Sequence, residues 1–318
     1  MFRERRMDQA RLGELVRRCW PEAPAGLRFR PIPTGKFNES FWVDTEDKSF
    51  VLRIAPPVGT PVLFYERDMM RQEPAIHAIV GERTNVPVAR IVGYDFTRTV
   101  IDRDFLLMER LPGRAWSEVP WVDTRRVLVQ LGAYLAQVHQ IRGDRYGYVG
   151  PHQPMEPQSS WVDAFGIMWN KLIDDIEATG YYDQQDGAYL RKLFDRHMRL
   201  FDRPVPACLL HMDIWHQNIL VDEQGQVTGI VDWDRALWGD PEIEFAVLDY
   251  CGISEEAFWE GYGARRDWSQ EAQLRWVFYY LYELQKYIVI RHGRNRNPQA
   301  AARYKREALA MARRLLGS

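Results

Sequence analysis

The segment of this 318-residue chain whose residue types and spacing point most directly to chemistry is LLHMDIWHQNILVDEQGQVTGIVDWDRALWGDPE. Within it His211, Asp213 and Asn218 stand as H-x-D-x-x-x-x-N, and Asp232 follows the apolar pair Ile230-Val231 in a short strand-turn-strand setting. Phosphoryl transfer needs a carboxylate beside the attacking hydroxyl, and hard oxygen ligands that hold Mg2+ against the phosphates as charge shifts in the transition state. Asp213 suits the first task, and Asn218 and Asp232 suit the second.

Asp and Asn also favour turns and caps, so spacing and context have to carry this reading. His211 reads as a residue that orients the loop through hydrogen bonds rather than one that transfers protons. An H-x-D-x-x-H metal cluster of His211, Asp213 and His216 is the rival arrangement, and it needs at least one more ligand from elsewhere. Asp234 and Asp240 are assigned to structure. Asp240 precedes Pro241 as a helix cap, with Glu242 and Glu244 favourable in the first turn. His139, at the end of an apolar helical stripe, reads as a hydrogen-bonded core histidine.

Taken together these motifs resemble the aminoglycoside phosphotransferase family, also called the choline and fructosamine kinase-like group, a bilobal relative of the protein kinases. The resemblance covers about residues 25 to 290. The family's H-G-D-x-x-x-x-N is matched by HMDIWHQN, with Met212 in place of the common glycine, and its I-D-W-D metal segment by VDWD. PTGKFNES resembles the nucleotide-covering loop, in which Gly35 permits close approach of backbone to phosphate and Asn38 or Ser40 adds donors. Arg53 in FVLRI falls where protein kinases carry a phosphate-contacting lysine, and Glu73 where their helix supplies its ion-pair partner; the planar guanidinium suits both contacts. LLMERLPG resembles the hinge between lobes, where backbone groups of Glu109 to Leu111 meet the adenine edge.

The resemblance implies an α+β, bilobal protein-kinase-like fold. It has a small N-terminal β-sheet lobe with one main helix, and a larger, mainly helical C-terminal lobe. It also implies ATP, with GTP as the alternative, Mg2+, and a small-molecule acceptor with a free hydroxyl, such as an antibiotic, amino alcohol or sugar-like metabolite. No D-F-G or A-P-E signature brackets an activation loop, which disfavours a protein substrate. A nucleotide-binding pseudokinase acting as a sensor is the rival that Arg53 leaves open, and a metal-dependent hydrolase is the second. Asp249, Glu255, Glu256, Glu260 and Glu283 either draw in a cationic acceptor by their local field or form solvated faces.

The elements that position these groups follow from periodicity. Leu12, Leu15, Val16 and Cys19 have the spacing of a one-faced helix that Pro21 ends. Phe41 to Val43 and FVLRI read as two strands joined by a turn at Asp44 to Lys48. A helix lies between Leu63 and Val80, with Pro74 either starting or kinking it. VPVARIVGYD and DFLLMERL read as further strands, the second buried. Pro112-Gly113 breaks the pattern and places the boundary near residue 110; the resemblance then implies that residues 1–110 are the nucleotide-binding lobe and 111–318 the catalytic and acceptor-binding lobe. Val127, Leu128, Leu131, Leu135 and Val138 then give a strong helix, and helices dominate to the end apart from a β-like segment at 208 to 233. In the last stretch Tyr304, Ala308, Met311 and Leu315 predict a docked helix with a basic outer face.

Bulk composition sets limits. With 46% hydrophobic and 27% charged residues the whole chain should fold, and a net charge of -2 argues against nucleic-acid or anionic-membrane binding. Cys19, Cys208 and Cys251 show no CxxC spacing, which disfavours a disulfide framework or structural zinc site and fits a cytoplasmic setting. The charged N-terminus is not a secretory signal, and no run approaches the ~20 apolar residues of a membrane span. The sequence sets no oligomeric state.

Overall fold

The computed structural model describes residues 7–33 and 37–317. The N-terminal region is a five-stranded antiparallel sheet. Its strands are β1 (Arg28–Pro31), β2 (Glu39–Asp44), β3 (Ser49–Ile54), β4 (Ile91–Asp95) and β5 (Phe105–Glu109), in the order β1-β2-β3-β5-β4. The β2–β3 turn is closed by Thr45, whose Oγ1 accepts the Lys48 amide at 2.9 Å. The resulting register sets Ser40 opposite Arg53. Alternation along β3 then sorts the side chains: Phe50, Leu52 and Ile54 join one hydrophobic cluster, while Val51 and Arg53 face an interlobe cleft.

Helix α1 (Gln9–Cys19) starts at Asp8, whose carboxylate accepts the Arg11 amide at 2.8 Å, and buries Leu12, Leu15, Val16 and Cys19 against that sheet. Only glycine fits where it meets β4, because a Cβ on Gly93 would lie 2.1 Å from the Cys19 carbonyl oxygen. Helix α2 (Glu73–Arg83) has Pro74 in its first turn, so the proline starts the helix rather than kinking it.

The C-terminal region is helical: α3 (Thr124–Val138), α4 (Trp161–Ala178), α5 (Gln184–His197), α6 (Pro241–Tyr250), α7 (Glu256–Tyr262), α8 (Gln270–Gly293) and α9 (Pro298–Leu316). Its larger core packs Trp161, Phe165, Trp169, Phe194, Phe278 and Tyr279 ring against ring, so these tryptophans fill core as composition suggests. On α9 the buried residues are Ala301, Tyr304, Ala308, Leu309, Ala312 and Leu316, whereas Leu315 is exposed. Tyr304 and Ala308 lie where the sequence expects them and Met311 packs partly buried against the core; only Leu315 departs, because four-residue steps bring Ala312 and Leu316 inward and leave it in solvent.

Two small antiparallel sheets interrupt the helices. β6 (Arg114–Ala115), β9 (Ile219–Val221) and β10 (Val227–Ile230) form one; β7 (Arg142–Gly143), β8 (Ala207–Leu210) and β11 (Leu237–Gly239) form the other. They anchor both ends of two loops, 211–218 and 231–236, which carry the residues singled out above. Among the described residues no helix is long and apolar enough to cross a membrane.

Candidate active site

The first loop leaves the fully buried strand β8 at His211. The Asp213 amide donates to His211 Nδ1 at 3.2 Å, so that nitrogen is unprotonated, and Nε2 faces the Val231 carbonyl at 3.0 Å as the donor. A neutral ring is what burial favours: it pushes the His211 pKa down, against the opposing pull of Glu244 and Asp213. The ring thus ties the two loops together, the orienting task expected of it.

Beneath the loop, fully buried Glu244 on α6 accepts the Met212 amide through Oε1 at 2.6 Å and the His211 amide through Oε2 at 3.2 Å. Its Oε2 also lies 2.8 Å from Nε2 of His139, whose Nδ1 lies 2.8 Å from the Tyr262 hydroxyl. Met212 is fully buried and takes a left-handed conformation, φ 65°, which accounts for the glycine more common there. Glu244 holds this turn from below. Asp240 caps α6 by accepting the Glu242 amide at 3.1 Å, as its position before Pro241 predicts.

Asp213 emerges at the cleft with 31% of its side chain accessible. Asn218 Nδ2 donates to its Oδ2 and to its carbonyl, both at 2.9 Å; Arg235 Nη1 donates to Oδ1 at 3.0 Å; and Lys286 Nζ lies 3.9 Å from Oδ1. Desolvation pushes its pKa up, but Arg235 and Lys286 outweigh it and hold the carboxyl below its ordinary value, so it is ionised at neutral pH.

The second loop turns at Asp232, also left-handed with φ 66°. Arg53 reaches it from β3, pairing with Asp232 Oδ1 at 2.6 Å, Asp234 Oδ2 at 3.0 Å and Glu73 Oε2 at 2.6 Å. Desolvation disfavours the Arg53 charge, but the three carboxylates raise its pKa above the usual value. The converse holds for the acids. Desolvation by the cleft walls, only partly offset by Arg53, raises the pKa of Asp232 and lifts that of Asp234 well above the ordinary range. With 43% of its side chain accessible, Asp232 is nevertheless open to a cation from the cleft.

The cleft between the two regions has a volume of about 850 Å3 and collects Asn38, Ser40, Arg53, Glu109, Leu111, Asp213, Asn218 and Asp232. Glu73 is fully buried behind Arg53, paired with it and 3.6 Å from His77 Nε2. Asn38 donates to Asp234 at 3.3 Å rather than pointing free into the cleft. Gly35 lies outside the described residues. At the end of β5, the Glu109 amide donates to the Arg90 carbonyl at 2.9 Å and the Arg110 amide to the Ser49 carbonyl at 3.1 Å, so both are committed to protein partners.

Three residues differ from the sequence reading or escaped it. Asp234 reads from sequence as structural, yet it lines the cleft and pairs with Arg53; it sits in the short 3-10 turn Trp233–Arg235 that follows the left-handed Asp232, and no local pattern signals that its side chain turns into the cleft. Arg235 and Lys286 meet at Asp213 from positions 22 and 73 residues away, a proximity no local pattern encodes. The H-x-D-x-x-H metal reading does not survive: both His211 nitrogens are engaged, and the His216 ring stacks on Trp116 at 4.3 Å. Among the described residues no group of three His, Cys, Asp or Glu is arranged to hold a metal.

Residues 28–277 match the phosphotransferase enzyme family, and the chain belongs to it. An Enterococcus faecium protein assigned as a ketoamine kinase is 24% identical over 80% of this chain and 87% of its own length. Mouse acyl-CoA dehydrogenase family member 11 is 23% identical over 71% of this chain, but the match spans only 28% of that longer protein. Among solved structures, a Haemophilus somnus protein assigned as a fructosamine-3-kinase superposes with a TM-score of 0.69 at 18% identity, covering 94% of this chain and 96% of that one. The aminoglycoside phosphotransferase APH(4)-Ia superposes with a TM-score of 0.63 at 16% identity, covering 96% and 99%. The α+β kinase-like fold, with its antiparallel N-terminal sheet and helical C-terminal region, is thereby established.

Proposed function

We propose that this chain transfers the γ-phosphoryl group of Mg-ATP to a hydroxyl of a small molecule. The observation that carries the proposal is the convergence in one cleft of an ionised Asp213, braced by Asn218 and Arg235, with Asp232 and Arg53. In this reading Asp213 orients the acceptor hydroxyl and takes its proton. The hydroxyl oxygen bonds to the γ-phosphorus as the bond to the bridging oxygen breaks, giving a phosphate monoester and ADP. A positioned base of this kind supplies about 10²- to 10⁴-fold.

Asn218 and Asp232 are the proposed metal ligands, and their chemistry fits. Asn218 Nδ2 is spent on Asp213, which leaves its Oδ1 for a cation, and Asp232 adds an accessible carboxylate. Mg2+ is typically held by one or two such protein oxygens plus phosphates, and when bound it neutralises charge on the transferring group. Arg53 is the proposed phosphate contact and Glu73 its brace. With the Glu109 and Arg110 amides committed, the Leu111 amide and the Glu109 carbonyl are the hinge groups proposed for the base.

The proposed boundary lies near residue 110, between a nucleotide-binding lobe and an acceptor-binding lobe. An adenine nucleotide is favoured because a thermostable mutant of APH(4)-Ia has been solved in ternary complex with AMP-PNP and hygromycin B. The assigned ketoamine and fructosamine kinases support a hydroxylated small molecule as acceptor. The test is Mg-dependent ATP consumption with a panel of hydroxyl compounds, using Asp213→Asn as the blank. Acceptor-stimulated turnover that vanishes in the variant supports the kinase; Mg-ATP binding without turnover across the panel would favour a nucleotide sensor.

A further inference from the structure

The acceptor half of the cleft takes its character from one face of α8. Lys286, Tyr287, Ile290, Arg291 and Arg294 line it, at the three- and four-residue steps that share a helix face. Three of the basic groups near it are matched. Arg294 pairs with Glu66, Lys286 pairs with Glu283, and Arg235 donates to Asp213. Arg291 is not matched: it donates to Asn295 Oδ1 at 3.1 Å and lies against the Tyr287 and Tyr304 rings, and among the described residues no carboxylate pairs with it. Four basic groups, Arg235, Lys286, Arg291 and Arg294, therefore face three acidic ones, Glu66, Asp213 and Glu283. The surplus positive charge sits on Arg291.

Arg235 adds a second observation. Only 6% exposed, it lines the cleft; its Nη2 lies 3.6 Å from Glu283 Oε2 and its guanidinium over the Tyr65 ring, while its Nε makes no hydrogen bond to protein. Two of the acids that might attract a cation are held by other partners. Asp249 is held by Arg266 at 2.5 and 2.8 Å and by Trp276 at 2.6 Å, and Glu260 is held by Arg125 at 2.6 Å. A polycationic acceptor would meet Lys286 and Arg291 at close range, whereas a carboxylate or phosphate matches the forked guanidinium.

Building on the kinase reading, we infer that the acceptor is an anionic hydroxyl compound whose carboxylate or phosphate monoester is received by Arg291, with Lys286 between that group and Asp213. Lys286 touches the reactive end, and Arg291 lies five residues further along α8, or ~7.5 Å at ~1.5 Å per residue. About six bonds of extended chain cover that distance. Tyr287 and Ile290 give the intervening chain apolar walls.

Matched probes test this by calorimetric titration in the presence of Mg2+ and AMP-PNP, where no turnover is needed. They are 6-hydroxyhexanoate, its amide, 6-aminohexanol and the monophosphate of hexane-1,6-diol. The expected result is that one or both anions bind at least about tenfold more tightly than the amide, with the amine weakest; the order of the two anions tells carboxylate from phosphate. Arg291→Glu, a partly exposed position, should erase that preference, and Arg291→Lys should retain most of it. An amine that binds as tightly as the anions, undetectable binding of every probe, or a ranking unmoved by Arg291→Glu overturns the inference. Turnover separates it from the kinase reading: Asp213-dependent phosphorylation of a cationic acceptor keeps the kinase and sinks the anion site, while selective anion binding without phosphoryl transfer to any acceptor does the reverse.

Discussion

Glu244 accepts the amide of Met212 at 2.6 Å, and in doing so fixes a left-handed turn immediately before Asp213. A carboxylate suits the position because every neighbour it meets there is a donor: two backbone amides and the His139 ring. Glu244→Gln puts an NH2 group against one of those donors. The expected loss is about 3 kcal/mol of stability, together with a fall in kcat, read by thermal melting and steady-state kinetics.

Met212→Gly tests what the departure from glycine contributes. Glycine relieves a conformational cost of roughly 1–2 kcal/mol but deletes a fully buried side chain, a loss of roughly 2–5 kcal/mol in comparable cores. Burial should win, so the variant should melt lower than the parent. A higher melting temperature would mean that backbone strain dominates at this turn.

Asp175 on α4 accepts the Phe64 amide at 2.7 Å, just before Tyr65 and Glu66 reach the cleft. Burial pushes its pKa up to about 6, against the pull of that amide and Arg67. Because the folded value is raised, the associated stability is full below the ordinary carboxylate pKa of ~3.9 and is lost as pH rises through about 6. Asp175→Asn keeps an acceptor for Phe64 and removes the ionisation. It should stabilise the protein at pH 7.5, on the order of 1 kcal/mol after allowing for partial exposure, with the gain gone below about pH 4. Melting curves at both pH values decide it.

The proposed division of labour between the two loops predicts different defects. Asp232→Ala should weaken binding of Mg-nucleotide and abolish turnover, whereas Asp213→Asn should lower kcat by about 10²- to 10⁴-fold and spare nucleotide affinity. Titration with Mg-AMP-PNP separates them, and unaltered affinity in Asp232→Ala would contradict the metal role.

The parts of this architecture that sequence reveals are those encoded locally. The β2–β3 hairpin follows from alternation around a polar turn, α3 from its apolar spacing, and the neighbourhood of Asp213 and Asn218 from five residues of chain. Contacts made by folding are not legible in the same way. Lys286 reaches Asp213 only once α8 docks, Arg235 only once the two loops meet, and Asp234 turns toward Arg53 because Asp232 bends the backbone into a left-handed turn. The full α9 stripe is hidden for a different reason: alanine carries little hydrophobic signal, so Ala301 and Ala312 are outweighed in sequence by the larger but solvent-facing Leu315.

Support for Asp213 comes from beneath, through Glu244 and the strands that flank its loop, while the wall opposite comes from a single long helix more than fifty residues downstream. Under the proposed assignment the two are separable units of inheritance. Exchanging the cleft-facing residues of α8 other than Lys286, which helps hold Asp213 ionised, would redirect the enzyme to a new acceptor while the reaction centre keeps its scaffold.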